Sequence, residues 1–252
     1  METLRTRMEE HVCFIQLYRP GHGNAITAQM LKECVAVLDA CEQSVSVLVI
    51  EGLPDEFCIG ADLTATARAA DEGTSGLPEA ARLYEFWQRL SSGPFISIAH
   101  VEGKATAGGV GLAAACDVVL ASEKATFSCS ELLFGLFPAC VLPFLARRVG
   151  RQRAHYMAIT TQSIDARQAC AWGLVDACAA DSDIVLRKHL LRLRRLPKRG
   201  LARYKEYAAM LDSSVADAKD DAVFANQQMF SDPHVRQNIT RYVRHGLLPW
   251  ED

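Results

Sequence analysis

Short apolar, strand-like runs alternate with helical patterns through the first part of this chain, and after about Leu142 the strand signals stop. That change of pattern constrains the fold more than any other feature. Strands that alternate with helices make a sheet covered by helices, an α/β arrangement. Helices that follow without strands need an existing surface to pack on. Val12 to Leu17, Val45 to Glu51, Phe95 to Val101, Asp117 to Ala121 and Ala125 to Cys129 read as strands, and Phe57 to Gly60 as a short extended piece. Thr27 is placed to cap a helix running to about Cys41, with Met30, Cys34 and Leu38 on one face. A second helix is expected from Pro78 to Leu90 and a third, of small residues, from Ala107 to Cys116. Residues 66–78 are rich in Ala, Gly, Ser and Thr and read as a mobile loop. Helical patterns then cover 142–149, 151–160, 165–173, 183–196, 199–212, 215–231 and 232–245. The expected division is an α/β core over residues 1–190 and a helical region over residues 191–252.

At 252 residues, half of them hydrophobic, the chain can bury a substantial core. Its 27 Lys and Arg against 30 Asp and Glu give a net charge of −3, with no excess of cations to neutralise nucleic-acid phosphates. Nothing approaches a run of ~20 apolar residues, and the polar start METLRTRMEEH has no apolar signal core. A soluble, cytoplasmic protein with no nucleic-acid or membrane partner is expected. The nine Cys are scattered without a Cys-x-x-Cys pair, so they are expected to be reduced and buried, with no disulfide framework and no metal site.

Three segments are placed to carry chemistry. In Phe57-Cys58-Ile59-Gly60-Ala61-Asp62 a strand ends at a glycine, and an N–H just beyond it is free to point at an anion. The alternative is a tight turn with Asp62 as a helix N-cap. In Ala105-Thr106-Ala107-Gly108-Gly109-Val110-Gly111 a glycine-rich turn opens a helix, so the backbone can approach a ligand where the helix dipole is positive. Close helix packing explains the same glycines, and the Lys-Ser/Thr of a phosphate-binding P-loop is missing. In Ser128-Cys129-Ser130-Glu131 a carboxylate sits among apolar residues, a candidate acid/base with a raised pKa. Ser128 and Glu131 also have the spacing of a capping box.

Taken together, these segments resemble the crotonase (enoyl-CoA hydratase/isomerase) superfamily. Arg19-Pro20 with Asn24-Ala25-Ile26, Phe57 to Asp62, Gly108-Gly109, Glu131 to Pro138, Gly150-Arg151 and Ala169 to Ala177 occur in the family's order and spacing, over almost the whole chain. The resemblance implies a spiral of repeated β-β-α units with a C-terminal helical trimerisation region, forming homotrimers or dimers of trimers. It makes Ala61 and Gly108 the two N–H donors of an oxyanion hole for a thioester, and Glu131 the second of the hydratases' two catalytic glutamates. Ala25, Gly60, Ala61, Gly108, Gly109 and Ala139 fall at substrate-binding positions, and Asp62 is a candidate helper beside the hole.

One position departs from the family. The first hydratase glutamate would stand twenty residues before Glu131, and this chain has Gly111 there. After Pro138, Ala139-Cys140-Val141-Leu142-Pro143 replaces the usual glycine-rich run. These departures, with the ending Leu248-Pro249-Trp250-Glu251-Asp252, are similar to the dehydratase member of bacterial polyketide β-branching cassettes. That resemblance implies dehydration of 3-hydroxy-3-methylglutaryl to 3-methylglutaconyl on an acyl carrier protein. No cofactor is implied beyond the phosphopantetheine thioester, on a carrier or on CoA. An enoyl-CoA hydratase, a 3-methylglutaconyl decarboxylase and a non-catalytic binding protein of the same fold stay open. Lys104, His100, Arg82 and Tyr84 are candidates for the substrate's distal carboxylate. The basic run Arg187, Lys188, Arg192, Arg194, Arg195, Lys198, Arg199, Arg203 and Lys205 is either a solvated helix face or a docking surface for an acidic carrier.

Overall fold

A computed structural model of the chain describes residues 1–71 and 79–251. Ten strands and twelve helices follow in chain order among them. They are β1 (Leu4–Glu9), β2 (Val12–Leu17), α1 (Ala28–Cys41), β3 (Val47–Glu51), β4 (Glu56–Cys58), α2 (Leu63–Asp71), α3 (Ala80–Ser92), β5 (Ile96–Val101), β6 (Lys104–Thr106), α4 (Gly108–Ala115), β7 (Val118–Ser122) and β8 (Thr126–Ser128). A 3-10 turn at Glu131–Phe134 follows. The remainder is α5 (Val141–Val149), α6 (Arg151–Thr160), β9 (Ile164–Asp165), α7 (Ala166–Trp172), β10 (Ala177–Ala179), α8 (Ser182–Leu193), α9 (Lys198–Leu211), α10 (Ser214–Asp217), α11 (Lys219–Ser231) and α12 (Pro233–His245).

The strands sort into two sheets, ordered β1-β2-β3-β5-β7-β10 and β4-β6-β8-β9. Three successive strand pairs, β3/β4, β5/β6 and β7/β8, each send the first strand to the large sheet and the second to the small one. The chain therefore advances as a spiral, and each pair lies parallel to the next. Val47, Leu48, Val49 and Ile50 show why the central strands read as unbroken apolar runs: both faces are covered, and none is more than 1% exposed. The α/β class and the spiral of β-β-α units expected from the sequence are the observed architecture.

Several expectations change. Strands do not stop at Leu142, since β9 and β10 each join a sheet. At two and three residues they are too short to show a period in sequence. The polar N-terminus is a sheet edge: β1 pairs antiparallel with β2, buries only Leu4, and lays Arg5 over the Tyr18 ring and Arg7 over that of Phe14. Charged side chains along an edge strand discourage pairing with another chain. The loop expected over 66–78 begins instead within helix α2; residues 72–78 lie outside the described residues. The C-terminal helices pack back on the core: Val215 and Ala222 belong to the main cluster, and Met229, Phe230, Val235 and Ile239 close a second one around Phe134. Among the described residues no helix is long and apolar enough to cross a membrane.

Candidate active site

Arg19 and Asn24 organise the first turn of the site. Asn24, wholly buried with φ +51, accepts the Arg19 backbone N–H (2.8 Å) and donates to the carbonyls of Glu56 (3.0 Å) and Phe57 (3.1 Å). Asn tolerates this left-handed conformation better than most residues. The Arg19 guanidinium holds the Ala25 carbonyl (2.6 Å) and Asp62 Oδ2 (3.0 Å). A single parallel bridge then joins Ile26 to Ala61, through Ile26 N–H to Gly60 O (2.7 Å) and Asp62 N–H to Ile26 O (3.2 Å). Because the residues on either side of Ala61 make both bonds, the Ala61 N–H faces the other way, toward the cavity that Ala61 lines.

The second turn lies directly against the first. Gly60 has φ +90, and a Cβ on it would fall 2.8 Å from Gly108 N and 2.9 Å from Ala107 Cβ. A Cβ at Gly109 would meet the Cys58 carbonyl at 1.9 Å. These two glycines are spacers that allow two backbones to touch; Gly60 and Gly109 stand behind the cavity wall, whereas Ala25, Ala61, Gly108 and Ala139 line it. Gly108 is the first residue of α4, so its N–H has no acceptor one turn back. Ala107, just before it, holds φ +52 and ψ −118, a conformation an L residue rarely adopts. Two such N–H groups on touching turns, both at residues that line the cavity, are what an oxyanion hole requires.

Glu131 opens the 3-10 turn and lines the same cavity of about 800 Å³. Its Oε2 is fully buried and has no hydrogen-bond partner among the described residues. Burial pushes the carboxyl up to about 7, with its own backbone N–H opposing. The capping box does not form: Ser130, not Ser128, precedes the turn, no side chain caps it, and Ser128 Oγ turns to Thr106 Oγ1 (3.4 Å). Asp62 does cap α2, accepting from Ala65 N–H (3.1 Å) with the oxygen that Arg19 leaves free.

The four residues considered for a distal carboxylate do not line this cavity. Tyr84 is buried and donates to Val215 O (2.6 Å); His100 Nε2 lies 2.8 Å from Ser182 Oγ; Arg82 pairs with Glu79; Lys104 is exposed at the start of β6. The basic run also divides. Lys205 is buried against Asp117, and Lys198 Nζ donates to the carbonyls of Val45 (2.6 Å) and Pro94 (2.9 Å), while the other seven are exposed. Both lysines are therefore structural, because burial leaves a cation dependent on fixed partners. Seven of the nine cysteines are buried and the other two half-buried, all as free thiols.

Sequence reading missed the far wall. Asn226 and Phe230 of α11 and Tyr242 of α12 reach the cavity, as does Trp87 of α3. Trp87 is wholly buried and T-stacked on Phe144; among the described residues its indole N–H has no partner, and Asn226 Oδ1 is likewise buried and unpaired. Only Gly111 carried a signal, since a Cβ there would sit 2.4 Å from Trp87 Cη2. The indole fills the space a side chain at 111 would need.

Known proteins share this fold. A model of the enoyl-CoA hydratase/isomerase family matches residues 7–252. The chain is 49% identical over 252 residues to the bacillaene synthase dehydratase PksH of Bacillus subtilis (strain 168), covering 100% of this chain and 97% of that protein. It is 27% identical over 268 residues to the hydroxycinnamoyl-CoA hydratase-lyase of Pseudomonas fluorescens, covering 96% and 97%. The crystal structure of a putative polyketide biosynthesis enoyl-CoA hydratase (pksH) from Bacillus subtilis superposes with a TM-score of 0.96 at 49% identity, over 98% of this chain and 99% of that one. Pseudomonas aeruginosa AtuE superposes at 0.78 and 31% identity over 96% of each chain. With the spiral, the paired turns and the family model agreeing over nearly its whole length, the chain belongs to the enoyl-CoA hydratase/isomerase, or crotonase, family.

Proposed function

We propose that this chain is a dehydratase of polyketide biosynthesis, removing water from a 3-hydroxyacyl thioester carried on an acyl carrier protein. The acyl group we assign to it is 3-hydroxy-3-methylglutaryl, giving 3-methylglutaconyl. The observation that carries the reading is one buried, unpaired carboxyl, Glu131, sharing a cavity with two outward backbone N–H groups, while position 111 holds no second carboxylate. The name of the PksH relative, a dehydratase, supports the direction of reaction.

The thioester oxygen accepts from the N–H groups of Ala61 and Gly108 and gains charge as the enolate forms. A donor so placed contributes roughly 3–4 kcal/mol to the transition state. Glu131, as carboxylate, takes the α-proton. The β C–O bond then breaks, the α,β double bond forms, and the proton on Glu131 passes to the departing hydroxyl, which leaves as water. The carboxylate is regenerated, so one group serves as base and then acid. A carboxyl titrating near 7 is well matched to both tasks. Asp62 acts as a positioning residue: with one oxygen on Arg19 and the other on α2, it fixes the turn that carries Ala61. The chemistry asks for no cofactor.

The decisive measurement is intact-mass analysis of a carrier protein loaded with 3-hydroxy-3-methylglutaryl, before and after adding the protein. Loss of one water is the expected result. Loss of carbon dioxide from the 3-methylglutaconyl carrier would assign decarboxylation instead, and turnover of crotonyl-CoA alone would assign a general hydratase.

A further inference from the structure

Three buried side-chain atoms lack a hydrogen-bond partner among the described residues, and all three belong to residues lining one cavity: Glu131 Oε2, Trp87 Nε1 and Asn226 Oδ1. Glu131 has a task in the proposed reaction; the other two do not. A buried N–H or carbonyl left unpaired costs about 1–3 kcal/mol, so both are expected to pair with something that enters. Helices α3 and α11, which carry them, pack against each other. Trp87 is also held rigidly, with its benzo edge against Gly111 and its ring at 85° to that of Phe144, and Phe144 packs in turn on Tyr84.

The chemistry of the pair selects a ligand group. A lone donor and a lone acceptor lining one cavity are together satisfied by a group that both accepts and donates. A carboxylate would accept from the indole but meet the Asn226 carbonyl with like partial charge. A methyl group would leave both unpaired. A hydroxyl satisfies both, accepting from Trp87 Nε1–H and donating to Asn226 Oδ1. We infer that Trp87 and Asn226 form a hydroxyl-recognition subsite that selects 3-hydroxyacyl thioesters over acyl chains lacking that oxygen. The assignment rests on the thioester reading above and adds the element that determines specificity. An indole N–H can hold an oxygen but cannot take a proton, so the subsite positions the leaving group while Glu131 does the proton transfer.

The test uses two pantetheine amides, which bind like the thioester but have a poorly acidic α-proton and are not turned over. Their acyl groups are 3-hydroxy-3-methylbutanoyl and 3,3-dimethylbutanoyl, identical in shape but for one hydroxyl in place of a methyl. Calorimetry on the intact protein is expected to show about a tenfold preference for the hydroxyl analogue, the worth of one good neutral hydrogen bond. Replacing the Trp87 indole with benzothiophene keeps the shape and removes the donor, and should reduce the preference several-fold while leaving the dimethyl analogue bound within about twofold. Trp87→Phe and Asn226→Leu should move the same way. A preference left unchanged by the benzothiophene exchange, or equal loss for both analogues, overturns the subsite and makes Trp87 a packing residue. If the unaltered protein binds neither analogue yet is folded by circular dichroism, the thioester reading itself falls, and the subsite with it.

Discussion

Position 111 sits inside a helix whose residues from Gly109 onward are all buried, and the nearest foreign atom to a Cβ there is an aromatic carbon of Trp87 at 2.4 Å. Trp87 has little room to yield. Gly111→Ala should therefore lower stability by about 1–3 kcal/mol, despite the better helix propensity of alanine, and thermal unfolding will show it as a depressed Tm. Gly111→Glu should fold poorly rather than restore a two-carboxylate site. Glu131 makes the opposite case, because a buried carboxyl with its pKa raised to about 7 opposes folding once ionised. Its stabilising contribution is fully present below the ordinary value near 4.5 and is lost as pH rises through 7. Glu131→Gln should be more stable than the parent at pH 8, by at most roughly 3 kcal/mol, with the gain vanishing below pH 4.5. The same variant should lose about a hundredfold or more in turnover. The parent's kcat/KM should rise with pH through about 7, and that limb should disappear in the variant. A pH profile and denaturation at two pH values check both halves.

At the scale of elements, the sequence was informative for segments long enough to repeat a pattern, except β1, whose six residues are nearly all polar and exposed. Val12 to Leu17, the Thr27-capped α1 and Phe95 to Val101 were all legible, since each offers five or more residues of pattern or a side-chain cap. Strands β6, β9 and β10, of three residues or fewer, were invisible because their pairing is decided by sheet neighbours brought from far along the chain. The paired turns of the site were legible because glycine at 60 and 108–109 and a carboxylate at 131 are unusual choices with a local cause. The Trp87 and Asn226 wall was not, since an aromatic or amide on an amphipathic helix has many ordinary explanations. Edge strand β1 is held to α1 by Glu33, which is buried and accepts from the N–H groups of Glu2 and Thr3, the Thr3 hydroxyl and the Gln29 amide. Burial alone would raise its pKa; these bonds outweigh it and bring the carboxyl down to about 2. Glu33 thus stabilises the fold above the ordinary carboxylate pKa, and the contribution fades as pH falls through 2. Glu33→Gln should cost about 1–3 kcal/mol at pH 7 in urea unfolding, with the difference shrinking toward pH 2.

The molecule as a whole presents two surfaces that its monomer does not use. Tyr204, Tyr207, Met210 and Leu211 on α9 and Phe224 on α11 are each at least 60% exposed. Apolar groups in such number on the C-terminal helices suit the trimer that the family resemblance implies. A Met210→Glu, Leu211→Glu double variant should shift sedimentation to a smaller species while leaving the monomer's circular dichroism intact. The exposed arginines and lysine between Arg187 and Arg203 form the other surface. If they meet an acidic carrier, KM for a carrier-bound substrate should rise several-fold between about 0.05 and 0.5 M salt, while KM for a free pantetheine thioester stays nearly flat.

The two proposed donors lie forty-seven positions apart, one beyond β4 and the other beyond β6, which are neighbouring strands of the small sheet. A two-donor hole needs both turns, and their contact through Gly60 exists only when successive coils of the spiral are stacked in register. Affinity for a thioester is for that reason also a gauge of tertiary order. A bound ligand should slow amide exchange throughout the small sheet, not just in the turns it touches, and any substitution that lets one coil slip against the next should be felt first as lost binding, before the protein unfolds.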